Sequence, residues 1–144
     1  MNQFNQQYPV VISQNVIWGD MDAFEHVNNT VYFRYFEDVR IAYFEQLDVL
    51  GHKAKNNIGP ILAKTECNFK LPLKYPDSIH IAARTRILSA KKFEMDYAVY
   101  SESYDAIVAE GNGLNVYYDY GLGKSCEIPD SIVTTISNLE KPFL

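Results

Sequence analysis

Cys67 and Cys126 are the only thiols in this chain. Two scattered cysteines are too few for a disulfide framework or a cysteine-rich zinc site, and they suit a compartment in which thiols stay reduced. A cytoplasmic location is expected. No apolar run approaches the roughly 20 residues that a membrane span needs. The start, Met1 to Gln7, is polar and uncharged, without the basic and then apolar pattern of a signal peptide. Cations are the minority charge: 13 Lys and Arg stand against 18 Asp and Glu, for a net charge of −5. That balance argues against nucleic acid as a bulk partner, since phosphate binding usually needs a basic face. Linkers, repeats and low-complexity segments are also missing. The 144 residues are therefore expected to form one domain, with a core spanning about 8–120 and a C-terminal helix or tail over 128–144.

Aromatic side chains, by contrast, are plentiful: 14% of the chain, eleven of them Tyr. Many fall in one stretch, Trp18 to Gly51. It opens with an acidic turn, Trp18-Gly19-Asp20-Met21-Asp22-Ala23-Phe24-Glu25-His26. Asn28 or Asn29 is a suitable N-cap for a helix that follows. Tyr32, Tyr35/Phe36, Val39, Tyr43, Leu47 and Leu50 recur at steps of three and four, one face of an α-helix. Gly51 is the expected C′ residue. Only a narrow polar stripe of Arg34, Asp38 and Glu45 remains, with Arg34 and Asp38 spaced to pair. A helix this apolar needs to be wrapped by a sheet or covered by a second subunit. Its N-terminus carries free N–H groups and partial positive charge, beside two carboxylates and an imidazole.

Strands are predicted over Tyr8–Ile17, Pro60–Lys70, Ser78–Leu88, Phe93–Tyr100 and Ala106–Tyr118. His52–Gly59 reads as a loop. Leu71–Asp77, holding Pro72 and Pro76, must turn or run along an edge. Gly111 and Gly113 mark a bulge or a close backbone approach in the last strand. Pro129 suits the first position of a terminal helix over Asp130–Leu139. The expected order is strand, long helix, then four strands in a row, an α+β domain with an antiparallel meander curled around the helix.

The turn and the order of elements resemble the hot-dog fold, and more narrowly the acyl-CoA thioesterase family typified by hydroxybenzoyl-CoA thioesterase. The residues that carry the resemblance are Trp18-Gly19-Asp20-Met21-Asp22, His26-Val27-Asn28-Asn29, Tyr32, Tyr35, Glu37 and Arg40, with Leu71-Pro72 and Tyr75-Pro76-Asp77 further on. Glu25 departs from the pattern, because relatives often carry Gly before the His. The resemblance implies that Asp22 attacks a thioester carbonyl or activates a water that does so. The amides around Val27, Asn28 and Asn29 would polarise the carbonyl, with His26 contacting substrate or holding the turn. Lys91 and Lys92 lie where relatives carry a basic turn and are candidate contacts for the phosphates of coenzyme A. Arg84 and Arg86 share a strand face leading to them. No cofactor or metal is implied, and the sites are expected at the interface of a dimer that pairs edge to edge, with tetramers as an alternative.

Other readings stand beside this one. Asp22 can be a pre-helix Asp satisfied by backbone amides. Asp20 suits bracing of the turn, and Asn28 and Asn29 suit capping. Asp20, Asp22 and His26 are donor types that suit a metal, although three residues without further support are weak evidence. The same chemistry on acyl carrier protein, or acyl-CoA binding without turnover, are the rival functions. A hydratase is disfavoured by the lack of a convincing Asp/His pair on the long helix. The aromatics of the helix suit a pocket for an aryl or a fatty chain, and at helical spacing are more commonly core.

Overall fold

A computed structural model describes residues 2–144; Met1, the first residue of the polar start, lies outside them. Five strands form one antiparallel sheet: β1 (Val10–Asn15), β2 (Ile58–Phe69), β3 (Ser78–Ile87), β4 (Lys92–Ser101) and β5 (Ala106–Asp119). A two-residue strand, β6 (Lys124–Ser125), adds to β5. The order across the sheet is β1-β3-β4-β5-β2. The expected meander is therefore correct only for β3, β4 and β5. Strand β2 crosses to the far edge and pairs with β5, from Ile58 opposite Asp119 to Phe69 opposite Ala109. The reason lies in residues 71–77, which cannot make a hairpin. They cross the end of the sheet instead, anchored where the Lys70 and Leu71 amides donate to Val108 O, and with Leu73 fully buried.

The long helix α2 (Asn29–Leu47) fills the concave face. Tyr35, Phe36, Val39 and Tyr43 are all but excluded from solvent. Each such side chain contributes roughly 1.5–3 kcal/mol by leaving water. Phe36 stacks on Tyr97 of β4, with ring centroids 4.8 Å apart. That approach is allowed by Gly111, where a Cβ would run into Glu66 O and the Phe36 ring. Arg40 is buried in the same layer, donating to Tyr97 OH at 3.3 Å with Glu37 3.8 Å away.

Helix α2 ends earlier than its apolar spacing predicts. Asp48, not Gly51, takes the left-handed conformation (φ 54°) that stops it. Asp tolerates that region better than most residues because its short polar side chain bonds locally. Gly51 sits inside a further helix, α3 (Val49–Asn56), where a Cβ would collide with the Asp48 carboxylate. The expected loop over 52–59 is thus mostly helix, followed directly by β2. The convex face is partly covered by the chain's own start. A short helix, α1 (Asn2–Asn5), puts Phe4 against Ala82, Ala98 and Tyr100.

Helix α4 (Asp130–Glu140) closes the structure, with Pro129 one residue before the predicted position, at the N-cap. Glu140 Oε2 accepts from Tyr43 OH at 2.5 Å and from Thr85 N at 3.0 Å. Burial raises the Glu140 carboxyl above its ordinary value of 4.5, outweighing the two donors. The folded protein thus holds this proton more tightly than the unfolded chain does. The group's contribution is present at acid pH and is lost as pH climbs from 4.5 through the raised folded value. Glu140→Gln should remove that slope from a thermal-midpoint series taken between acid and neutral pH.

Candidate active site

The acidic turn closes on itself through its backbone. A single 3-10 turn, Trp18–Asp20, leads into a Met21–Val27 bridge. Asp22 N donates to His26 O, and Glu25 N donates to Asp22 O, both at 3.0 Å. Asp22 Oδ1 accepts from Phe24 N at 2.9 Å, an Asx turn that fixes one carboxylate oxygen. The exposed carboxylate keeps its other oxygen, for which no hydrogen bond is found among the described residues. Asp20 is held differently. Its carboxylate pairs with Arg34 at 2.5 Å, and its carbonyl accepts from Asn28 N at 3.0 Å. The expected Arg34–Asp38 pair does not form, because the turn brings Asp20 over the helix. Asp38 accepts instead from Gln14 of β1 at 2.8 Å.

Asn28 caps α2 by accepting from Thr30 N and Thr30 Oγ1 at 2.9 and 2.8 Å. Of the three amides expected to polarise a carbonyl, two are already engaged. Val27 N donates to Leu73 O at 2.8 Å and Asn28 N to Asp20 O. Neither the Val27 nor the Asn28 amide is therefore free to donate to a substrate in this arrangement. The Asn29 N–H, at the first helical position, has no acceptor among the described residues. It sits where the helix N-terminus favours negative charge.

Beside this terminus opens a cleft of about 280 Å³, lined by Val27, Asn29, Tyr32 and Phe69–Pro72. Tyr32 and Phe69 meet edge to face at 5.0 Å. Tyr32 OH accepts from Leu73 N at 3.3 Å, and burial raises its pKa. Tyr35 OH is buried without a partner among the described residues. The sequence placed Tyr32 in the family pattern and gave Phe69 no part in the site. The signal for Phe69 was the polar-apolar alternation that ends there, three residues before the proline that turns the chain across the helix start.

His26 is exposed and makes no side-chain hydrogen bond among the described residues; its carbonyl helps close the turn. Glu25 has φ 64°, the left-handed region in which Gly carries no steric cost. Glu25→Gly should leave the turn intact and shift stability by no more than about 1 kcal/mol toward the folded state, read as a small rise in thermal midpoint.

Lys91 and Lys92 are not near Asp22 within this chain. Lys92 opens β4 opposite Val116, whereas the Asp22 turn lies by the other end of the sheet, tied through Val27 N to Leu73 O. Arg84 and Arg86 face the convex side and pair with Asp96 and Glu94. Asp20, Asp22 and His26 do not form a ligand set either. No group of three His, Cys, Asp or Glu suited to a metal gathers among the described residues.

A long helix seated in a curled antiparallel sheet, with an acidic turn at the helix start, defines the hot-dog class of thioester hydrolases. The model of the thioesterase-like superfamily matches residues 16–136, and the chain belongs to that superfamily. An Aquifex aeolicus protein is 26% identical over 131 residues, covering 90% of this chain and 99% of its own. The uncharacterized protein YsmA of Bacillus subtilis is 25% identical over 83 residues, 58% of this chain and 55% of that protein. A Thermus thermophilus thioesterase, solved in complex with coenzyme A and zinc, superposes with a TM-score of 0.82 at 26% identity. That match covers 94% of this chain and 97% of the other. Among the described residues no donor set suited to zinc gathers, and Asp20 is already committed to Arg34.

Proposed function

We propose that the protein hydrolyses acyl-CoA to a free carboxylic acid and coenzyme A, with Asp22 carrying the chemistry. The observation that carries this reading is the open Asn29 N–H at the start of α2, on the rim of a largely apolar cleft and one short turn from a half-free carboxylate. The thioester oxygen rests against the Asn29 amide, which stabilises the charge that develops there. Asp22 acts as a nucleophile through a mixed anhydride or as a general base toward water. His26 lies beside the substrate path. The coenzyme A complex of the Thermus thermophilus thioesterase supports the choice of carrier.

The working unit is a dimer. Edge strand β2 leaves Ile61, Leu62 and Phe69 exposed, and the turn leaves Trp18 and Phe24 at 69% and 82% exposure. Large rings that open to water point to a covering surface. Antiparallel pairing of β2 with a second copy brings the partner's β4 start toward this chain's Asp22. Lys91 and Lys92 then serve the coenzyme A phosphates across the interface. Among the described residues no helix is long and apolar enough to cross a membrane.

The test is thiol release from a panel of short, medium, long and aromatic acyl-CoAs. Turnover on at least one is expected. Tight binding without any thiol release would move the protein to a non-catalytic acyl-CoA binder.

A further inference from the structure

On the convex face, away from the acidic turn, three side chains from three elements form one hydrogen-bonded row. Ser13 of β1 and His80 of β3 are register partners, with Ser13 Oγ 2.7 Å from His80 Nδ1. His80 Nε2 lies 2.6 Å from Glu102 Oε2 in the turn between β4 and β5. An ionised carboxylate only accepts, so Nε2 carries the ring proton. In the neutral imidazole Nδ1 is then the bare nitrogen, to which the Ser13 hydroxyl donates. That is the polarity in which an imidazole acts as general base toward a hydroxyl, with a carboxylate fixing its tautomer. The base is held still: His80 is 7% exposed and packs by Tyr100 with ring centroids 6.2 Å apart. Ser13 itself is exposed.

The row lines a cleft of about 220 Å³. Asn15 lines it too, two residues along the same face of β1. Asn15 Oδ1 accepts from Ser78 Oγ at 3.0 Å, and its Nδ2 has no acceptor among the described residues. A wider cleft of about 520 Å³ shares Asn15, Ser78 and Glu102 and extends to Tyr75 and Asp77. Neither cleft is lined by Lys or Arg.

We propose that Ser13, His80 and Glu102 form a second acyl-transfer site, acting on esters of small acyl groups with neutral or cationic alcohols. Ser13 Oγ attacks the acyl carbon as its proton passes to His80 Nδ1. Asn15 Nδ2 donates to the oxyanion. The bond to the leaving alcohol breaks, and that oxygen takes the proton back from His80. Water then attacks the acyl-Ser13 ester, giving its own proton to His80, which returns it to Ser13 as the acid leaves. The acidic lining by Glu102 and Asp77 rejects phosphate-bearing carriers, which separates this site from a coenzyme A thioester site.

The experiment treats the intact protein with a fluorophosphonate and, separately, with p-nitrophenyl acetate, and locates adducts by peptide mass spectrometry. Neither reagent is a thioester, so the outcome does not depend on Asp22. The expected adduct is on Ser13, absent in Ser13→Ala. In Glu102→Gln the labelling rate should fall roughly 10²-fold or more. A Gln amide can donate to Nε2 and release the ring proton to Nδ1, a change that imidazole-nitrogen NMR reads directly. Glu102 is exposed, and a melt confirms that the variant folds. No adduct on Ser13 under excess reagent, or undiminished labelling in a folded Glu102→Gln, overturns the proposal.

Discussion

In Asp22→Asn, thiol release from the preferred acyl-CoA should fall by roughly 10²–10⁴-fold while the fold is kept. The substitution isolates charge from structure. Asn retains an oxygen that accepts from Phe24 N, so the Asx turn survives. What is lost is the anion, and with it both proton abstraction and attack on the carbonyl. Asp22→Ala is the poorer variant, because it also removes the turn's side-chain bond. The size of the loss carries information too. A drop beyond the general-base range favours a nucleophile, and a single turnover in heavy-oxygen water tests for one. Label in the Asp22 side chain after turnover means an anhydride was formed and opened by water at the aspartyl carbonyl; label in the product acid alone fits water attack on the thioester or on the acyl carbon of an anhydride. Full activity in a folded Asp22→Asn protein would remove this residue from the chemistry.

Asn29→Pro should cost roughly 10²–10³-fold in kcat, the usual effect of deleting one donor to an oxyanion. Proline is an unusually clean probe here. Asn29 is the first residue of α2, where Pro is well tolerated and where no helical hydrogen bond depends on the N–H. The residue before a proline must be extended, and Asn28 already is, at φ −61° and ψ 142°. The variant therefore removes the amide hydrogen together with the Asn29 side chain, and leaves the helix start in place. Its companion is Asn29→Ala, which keeps the amide and deletes the side chain. Near-native turnover in Asn29→Ala with loss in Asn29→Pro assigns the effect to the backbone. Equal loss in both would assign it to the side chain, and the oxyanion donor would have to be sought elsewhere.

Local patterns made much of this architecture legible. Alternation located all five main strands to within a few residues, and the Asn pair at 28 and 29 marked the start of α2. Those signals depend on nearest neighbours in the chain. Features decided by distant residues were not readable. Alternation says which face a strand buries but not which strand lies beside it, so the move of β2 to the edge by β5 was missed. Arg34 has Asp38 within reach along the helix, yet it pairs with Asp20, brought over it by the turn. Asp48 and Gly51 both permit the end of a helix, and the choice between them rests on how α3 packs. In the site, the turn stood out through its resemblance to a family, whereas the engagement of the Val27 amide depends on Leu73, far along the chain. The basic pair at Lys91 and Lys92 was legible as a pair, but its distance from the turn followed only from strand direction.

The strand order also has a meaning in time. β1, α2 and β2 are made first, yet each finds its place only on strands made later. β3, β4 and β5 are joined by short turns and pair with little loss of chain freedom. The two edges and the aromatic helix between them must wait for that hairpin pair to form. During synthesis the stretch that holds β1, α2 and β2 therefore leaves the ribosome without a surface to receive it, and is the segment most open to chaperones and to aggregation.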